Sequence, residues 1–190
     1  LWYKIFTYKE NGNKDFKHVK EGLKFIHKII SPYKFDVTIL ADRGFKSVDL
    51  FKFIDEDLKF KYCIRCTKDL GISIPGKHKI KKLEDIIPLK GKTKHFLSIR
   101  LTAQNYVCNM AVCKAENTED TWFIANNLGD SFAVREYKKR FDIEEMFKDF
   151  KSGGFNLEDT WSENIQYVRV LYLCICIAYC WMIALGTSCT

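Results

Sequence analysis

From Leu1 to Cys66 the chain switches repeatedly between two hydrophobic periods, and this alternation constrains the fold more than any other feature. "LWYKIFTYKE" reads as a short aromatic strand, and "NGNKD" as the turn after it. From His18 to Ile30 the apolar Val19, Leu23, Ile26 and Ile30 recur at helical spacing, and Ser31-Pro32 stops that helix. The apolar run Val37 to Ala41 has the character of a strand covered on both faces, and it ends in Asp42. Residues 46–58 return to helical spacing, and "KFKYCIRC" is a further strand. Strand, helix, strand, helix, strand predicts an α/β sheet with at least one parallel pair.

Residues 67–125 change character. "GKHKIKKLEDIIPLKGKTKH" is polar and basic, and "FLSIRLT", "YVCNMAVCKA" and "TWFIANNL" read as successive short strands. The expected organisation is a first part of the core over residues 1–66, a β-rich insertion over 67–125 and a helical part over 126–190. A helix from about Asn164 to Leu185 closes the chain. Its uncharged stretch, Val170 to Gly186, has the minimum length for a bilayer span, and its Cys and Tyr content favours a buried helix packed on the sheet.

With 47% hydrophobic and 15% aromatic residues, the 190-residue chain can bury a sizeable core, which excludes a disordered protein. The formal charge of +7 points towards polyanionic partners, nucleic acid first. The eight cysteines lie mostly in apolar runs, as expected of reduced, buried thiols in a cytoplasmic protein. A zinc site made from Cys63, Cys66, Cys108 and Cys113 is the alternative. Against it, residues three apart on a strand face opposite sides. The chain opens with Leu1 and no signal-peptide pattern, so a natural N-terminus upstream is expected.

"YKKRFDIEEMFKDFKSGGF", residues 137–155, carries Tyr137, Arg140, Glu144 and Lys151 at steps of three, four and seven. On one continuous helix they fall at about 0°, 300°, 340° and 320°, a narrow stripe about 21 Å long. The stripe borders an apolar face of Ile143, Met146, Phe147 and Phe150, while Asp142, Glu145 and Asp149 mark the solvent side. A carboxylate in it can hold Mg²⁺, and the cations can clamp phosphate oxygens. The same residues also make ordinary helix pairs, Arg140 with Glu144 and Glu144 with Lys148. Asp42 admits two readings as well. At the carboxyl end of a buried strand it stands where α/β proteins keep active sites, and it is also placed to cap the next helix. Together Asp42 and Glu144 make a two-carboxylate metal site.

"ILADRGF", followed far along the chain by Y-x-x-R-x-x-x-E-x-x-x-x-x-x-K within "FDIEEMFKDFKSGGF", resembles the DDE transposases of bacterial insertion sequences, in the subgroup with the Tyr-Arg-Glu-Lys signature. The resemblance implies a ribonuclease-H-like core with an inserted β-rich subdomain. It makes Asp42 the second catalytic carboxylate and Glu144 the third, holding two Mg²⁺ or Mn²⁺ ions. Tyr137, Arg140 and Lys151 then contact transposon-end DNA, and Trp122 matches the position of a Trp that stacks on a flipped base in some members. The implied partners are double-stranded transposon ends and target DNA, with a homodimer in the paired-end complex and no membrane. The first catalytic Asp has no match: Asp15 lies in a turn and Asp36 at the wrong end of its strand. The core would therefore lack its first strand or strands. The rival reading is a catalytically dead remnant that binds DNA or assembles with intact copies without cutting.

Overall fold

In the computed structural model, the described residues are 16–76, 81–101, 104–116, 119–129, 132–160 and 162–188. The expected strand "LWYKIFTY" and the turn after it lie outside them, as do Lys77 to Ile80 of the basic segment. The chain divides into two units, Leu1–Arg140 and Phe141–Thr190.

The first unit is organised by the parallel pair that the alternating periods predict. Helix α1, Lys17–Ile30, buries Leu23 and ends in a 3₁₀ turn at Ser31–Tyr33, with Pro32 in its first turn. Strand β1 is Thr38–Ala41 and strand β2 is Lys61–Cys66, paired from Thr38↔Lys61 to Ala41↔Ile64. Between them run helix α2, Val48–Lys52, and a single π-helical turn, Phe53–Asp57. β1 is half-buried along its length rather than covered on both faces, because it stands at one end of the order of described strands.

Five further strands join the same sheet: β3 Gly71–Ser73, β4 Lys81–Lys82, β5 Lys92–Leu101, β6 Tyr106–Lys114 and β7 Thr121–Asn126. The order is β1-β2-β7-β6-β5-β3-β4, and every neighbouring pair except β1 with β2 is antiparallel. Among the described residues the architecture is thus mixed α/β on a sheet of seven strands, mostly antiparallel. Of these, β5, β6 and β7 form where the sequence predicts strands, β5 starting earlier, at Lys92, while β3 and β4 were not expected; the set extends the β1–β2 sheet through β7, which pairs with β2.

Strand alternation sends successive side chains to opposite faces. One face buries Tyr62, Ile64, Cys66, Met110, Val112, Phe123 and Ala125 beneath α1 and α2, whose Leu23, Leu50 and Phe51 join the same core. Phe51 is 0% exposed, and full burial of such a ring contributes about 1.5–3 kcal/mol. The other face carries a smaller cluster of Cys63, Ala111 and Ile124, covered by helix α3, Ala133–Lys138, through Ala133 and Tyr137. A polar knot fixes the π-helical turn to the sheet. Asn127 accepts from Tyr62 N–H at 2.8 Å, and its amide donates to Asp55 at 2.8 Å and to the Phe60 carbonyl at 3.1 Å. The Tyr106 hydroxyl donates to the same Asp55 at 3.2 Å.

The second unit is a helix pair. Helix α4, Phe141–Lys151, and helix α5, Ile165–Ser188, meet around Phe150, which packs with Ile175 and Cys176 and makes edge contacts with Tyr172 and Tyr179. Gly153 closes α4 against the helix: a Cβ there would come within 2.9 Å of the Asp149 Cα. The apolar face expected of α4 is only partly buried. Phe150 is enclosed and Met146 half-buried, whereas Ile143 and Phe147 are exposed.

The closing helix corrects the expectation of a buried one. In α5 only Ile175 and Cys176 are buried, while Val170 is 61% and Trp181 67% exposed. Apolar residues surround α5 on all sides, so one neighbouring helix leaves most of them uncovered. By length and composition α5 is also long and apolar enough to cross a bilayer.

Candidate active site

Asp42 follows the last residue of β1 and precedes a 3₁₀ turn, Arg43–Phe45. Its Oδ1 accepts the Gly44 N–H at 2.8 Å, so the capping reading is realised, on a 3₁₀ turn rather than an α-helix. The fit is close: a Cβ on Gly44 would approach that oxygen to 3.0 Å, so the carboxylate would have to shift slightly. Asp42 is exposed, so no burial cost forces it to find a partner. The turn leaves the second carboxylate oxygen outside the Gly44 hydrogen bond. A hard oxygen donor at a strand's carboxyl end suits a divalent cation.

The expected single helix over the signature is two helices. After α3 the backbone tightens: Lys139 N–H donates to Glu136 O at 3.1 Å and Arg140 N–H to Tyr137 O at 3.0 Å, both three residues back, and α4 starts afresh at Phe141. Within that last turn the Arg140 guanidinium lies 5.5 Å from the Tyr137 ring centre, an i,i+3 cation–π contact. Steps of 100° therefore do not carry from Tyr137 and Arg140 to Glu144 and Lys151. Tyr137 and Arg140 belong to the first unit; Glu144 and Lys151 belong to the second. In that second unit Glu144 is exposed on α4, and Lys151 pairs with Glu158 at 3.0 Å.

Tyr137 is 0% exposed, where the wheel put it at the border of core and water. Its hydroxyl is enclosed beside the Arg140 side chain. Burial raises its pKa, the charges of Arg140 and Arg65 partly oppose this, and the charge of Asp42 adds to the rise. Asp42, Arg65 and Arg140 are thus all near enough to act electrostatically on one phenol.

Trp122, the second residue of β7, is half-buried with its ring edge-on to Tyr137, centres 5.5 Å apart at 68°. Its indole N–H donates to Asp120 Oδ2 at 3.2 Å, and Arg65 Nη2 donates to Asp120 Oδ1 at 2.5 Å. A continuous series, Arg65–Asp120–Trp122–Tyr137–Arg140, consequently borders the end of β1. Sequence reasoning missed Arg65 and Asp120. Arg65 had a signal, since it alternates with Cys63 on β2 and so shares a face with Leu40 and Asp42. Asp120 had none; only the pairing of β2 with β7 brings it to Arg65.

Among the described residues no three His, Cys, Asp or Glu gather closely enough to hold a metal ion. Cys63 and Cys66 fall in the clusters on opposite faces, which separates the pair a zinc site would need. Burial pushes the thiols of Cys63, Cys66 and Cys108 up to about 12. A cavity of about 430 Å³ opens at the opposite end of the parallel pair, lined by Asp36, Thr38, Lys61, Arg135, Glu136 and others. Its charges are paired internally, Lys61 with Asp36 at 2.6 Å and Lys139 with Glu136 at 2.6 Å, and none of the signature residues line it.

A family model described as "Transposase DDE domain" matches residues 1–181. No curated protein matches the chain.

Proposed function

The chain belongs to the DDE transposase domain family, and from that premise we propose that it cleaves transposon ends and joins them to target DNA by phosphodiester hydrolysis and strand transfer. In this reading β1 and β2 belong to a ribonuclease-H-like core, and residues 67–125 are the β-rich insertion between its second and third carboxylates. Asp42 and Glu144 would hold the divalent cations, two Mg²⁺ or Mn²⁺ in the intact site; both are exposed oxygen donors, and Asp42 is oriented by Gly44. When bound, such ions supply an activated water or 3′-hydroxyl and charge stabilisation at the leaving oxygen.

The chain's own groups do the rest. Arg140 and Lys151 set phosphates by charge and hydrogen bonds, and the Tyr137 phenol adds a donor. The Trp122 indole offers a flat face to a base taken out of the stack. The basic balance adds sequence-independent attraction for the duplex, and paired-end chemistry would use two copies of the chain.

The observation that carries the reading is a family match spanning residues 1–181, in a chain where Trp122 and Arg140 both pack on the enclosed Tyr137. The test is Mn²⁺-dependent nicking of supercoiled plasmid by the protein expressed from its complete reading frame. Asp42→Asn and Glu144→Gln should each cut the rate more than about a hundredfold, beyond what outer-shell partners of a metal site lose, with thermal stability unchanged. Parent-like nicking by Glu144→Gln would remove it from the site. Binding to DNA that persists in EDTA, with no nicking by the parent in Mn²⁺, would instead favour a chain that binds without cutting.

A further inference from the structure

We propose that Asp120 is a latch that keeps the DNA-contacting face closed in the free protein, holding Trp122 over Tyr137 by occupying the position a DNA phosphate would take on Arg65. The inference rests on the DNA-binding reading above and adds to it a group that must leave before DNA can engage.

Three observations converge. First, the Asp120 carboxylate accepts from the Arg65 guanidinium at 2.5 Å and, through its other oxygen, from the Trp122 indole N–H at 3.2 Å. A planar anion taking one oxygen to a guanidinium and another to a neutral N–H uses the contacts a phosphate would use. Second, the side chains of Arg65 and Asp120 are 18% and 55% exposed. The carboxylate is thus the solvent-side member, open to displacement by a stronger anion. Third, the residue behind the latch is completely enclosed. Tyr137 is 0% exposed, and Trp122 is one of the groups packed on its ring. A phenol in that state cannot touch DNA until what covers it moves. Releasing the indole N–H removes one of the contacts that hold Trp122 in place, and a turn of that ring would uncover the phenol and present the indole face together.

The groups around the latch fit such an exchange. Arg140 backs the Tyr137 ring at 5.5 Å, and Arg65 and Arg140 already lower the Tyr137 pKa that burial raises. A phosphate arriving at Arg65 therefore enters a field shaped by two guanidiniums, while Asp120, on an exposed stretch before β7, swings into solvent.

The experiment compares binding of a short mixed-sequence DNA duplex at low salt by the full chain, Asp120→Asn, Asp36→Asn, Arg65→Ala and the Arg65→Ala/Asp120→Asn pair. Asp36 is an exposed acid paired with Lys61 at the other end of the strands, so it controls for the loss of one negative charge. Asp120→Asn should bind about two- to fivefold tighter than the parent, the scale of a partly exposed ion pair. Asp36→Asn should gain less, and Asp120→Asn should gain nothing once Arg65 is gone. In parallel, the Trp122 indole N–H resonance, assigned with Trp122→Phe, should shift in Asp120→Asn and shift on adding DNA to the parent. Equal gains from Asp120→Asn and Asp36→Asn overturn the latch, as does DNA binding that leaves the Trp122 resonance in place. If neither the parent nor any variant binds the duplex, the DNA-binding reading falls, and the latch falls with it.

Discussion

The two faces of the sheet are made from alternate residues of the same strands, and they bury their contents differently. Beneath α1 and α2 the inward side chains are almost all apolar and fully enclosed, from Ile64 and Ile72 to Ile99 and Met110. Beneath α3 the enclosed set is small, and polar groups begin at its margin: Asp42, Arg65, Asp120 and the phenol of Tyr137. The contrast separates an apolar face from a charged one within one sheet. The first face holds the unit together, and the second exposes charge at the end of the parallel pair, where a polyanion can reach it.

Mutations on the two faces should therefore separate. Phe51→Ala, on the enclosed face, should lower stability by about 3–5 kcal/mol in urea unfolding. Trp122→Ala, on the other, should lose far less stability yet weaken DNA binding by about 1–3 kcal/mol, the scale of a base–aromatic stack. If the two variants are equally destabilised, the division of labour between faces fails.

Alkaline pH probes both faces at once. Burial moves Cys63, Cys66 and Cys108 from the ordinary thiol value of 9.0 up to about 12, Cys63 on one face and the other two on the opposite one. Between those values the unfolded chain has released protons that the folded chain still holds, so stability falls as pH rises from 9.0 towards 12. Each thiol should contribute about 1 kcal/mol per pH unit, read as the fall in urea midpoint; a flat profile would show that the strand centres are wet. The smallest effect belongs to Tyr137→Phe. Removing the enclosed hydroxyl beside Arg140 should change stability by less than about 1 kcal/mol while weakening DNA binding. A loss of about 1.5–3 kcal/mol would show a strong hydrogen bond to the guanidinium.

Much of the first unit was legible because its signals are local. The apolar positions of α1 and β1, the stop at Ser31-Pro32, and the strands ending in Cys66 and running through Tyr106–Lys114 each follow from residues adjacent in the chain. The signature helix was half legible. Helix forms on both sides of its middle as the apolar spacing predicts, yet the break at Lys139–Arg140 was not legible, because neither a Pro nor a Gly marks it. Two hydrogen bonds to carbonyls three residues back, with Arg140 folded onto Tyr137, make the break, and no periodicity records them. The closing helix misled for the opposite reason: an apolar composition says that a helix can be buried, and not how much of it finds a neighbour.

By itself the sequence determined the alternation of helix and strand, the parallel pair that alternation requires, the Asp at the end of β1 and the signature spacing. These are set by side-chain period and by covalent order along a few residues. Only the tertiary structure decided that Tyr137 is enclosed, that Asp42 is exposed and turned onto Gly44, and that Asp120 joins Arg65 to Trp122. Those outcomes depend on strand pairing between residues far apart in the chain, and such pairing is fixed by how the whole sheet buries its surface.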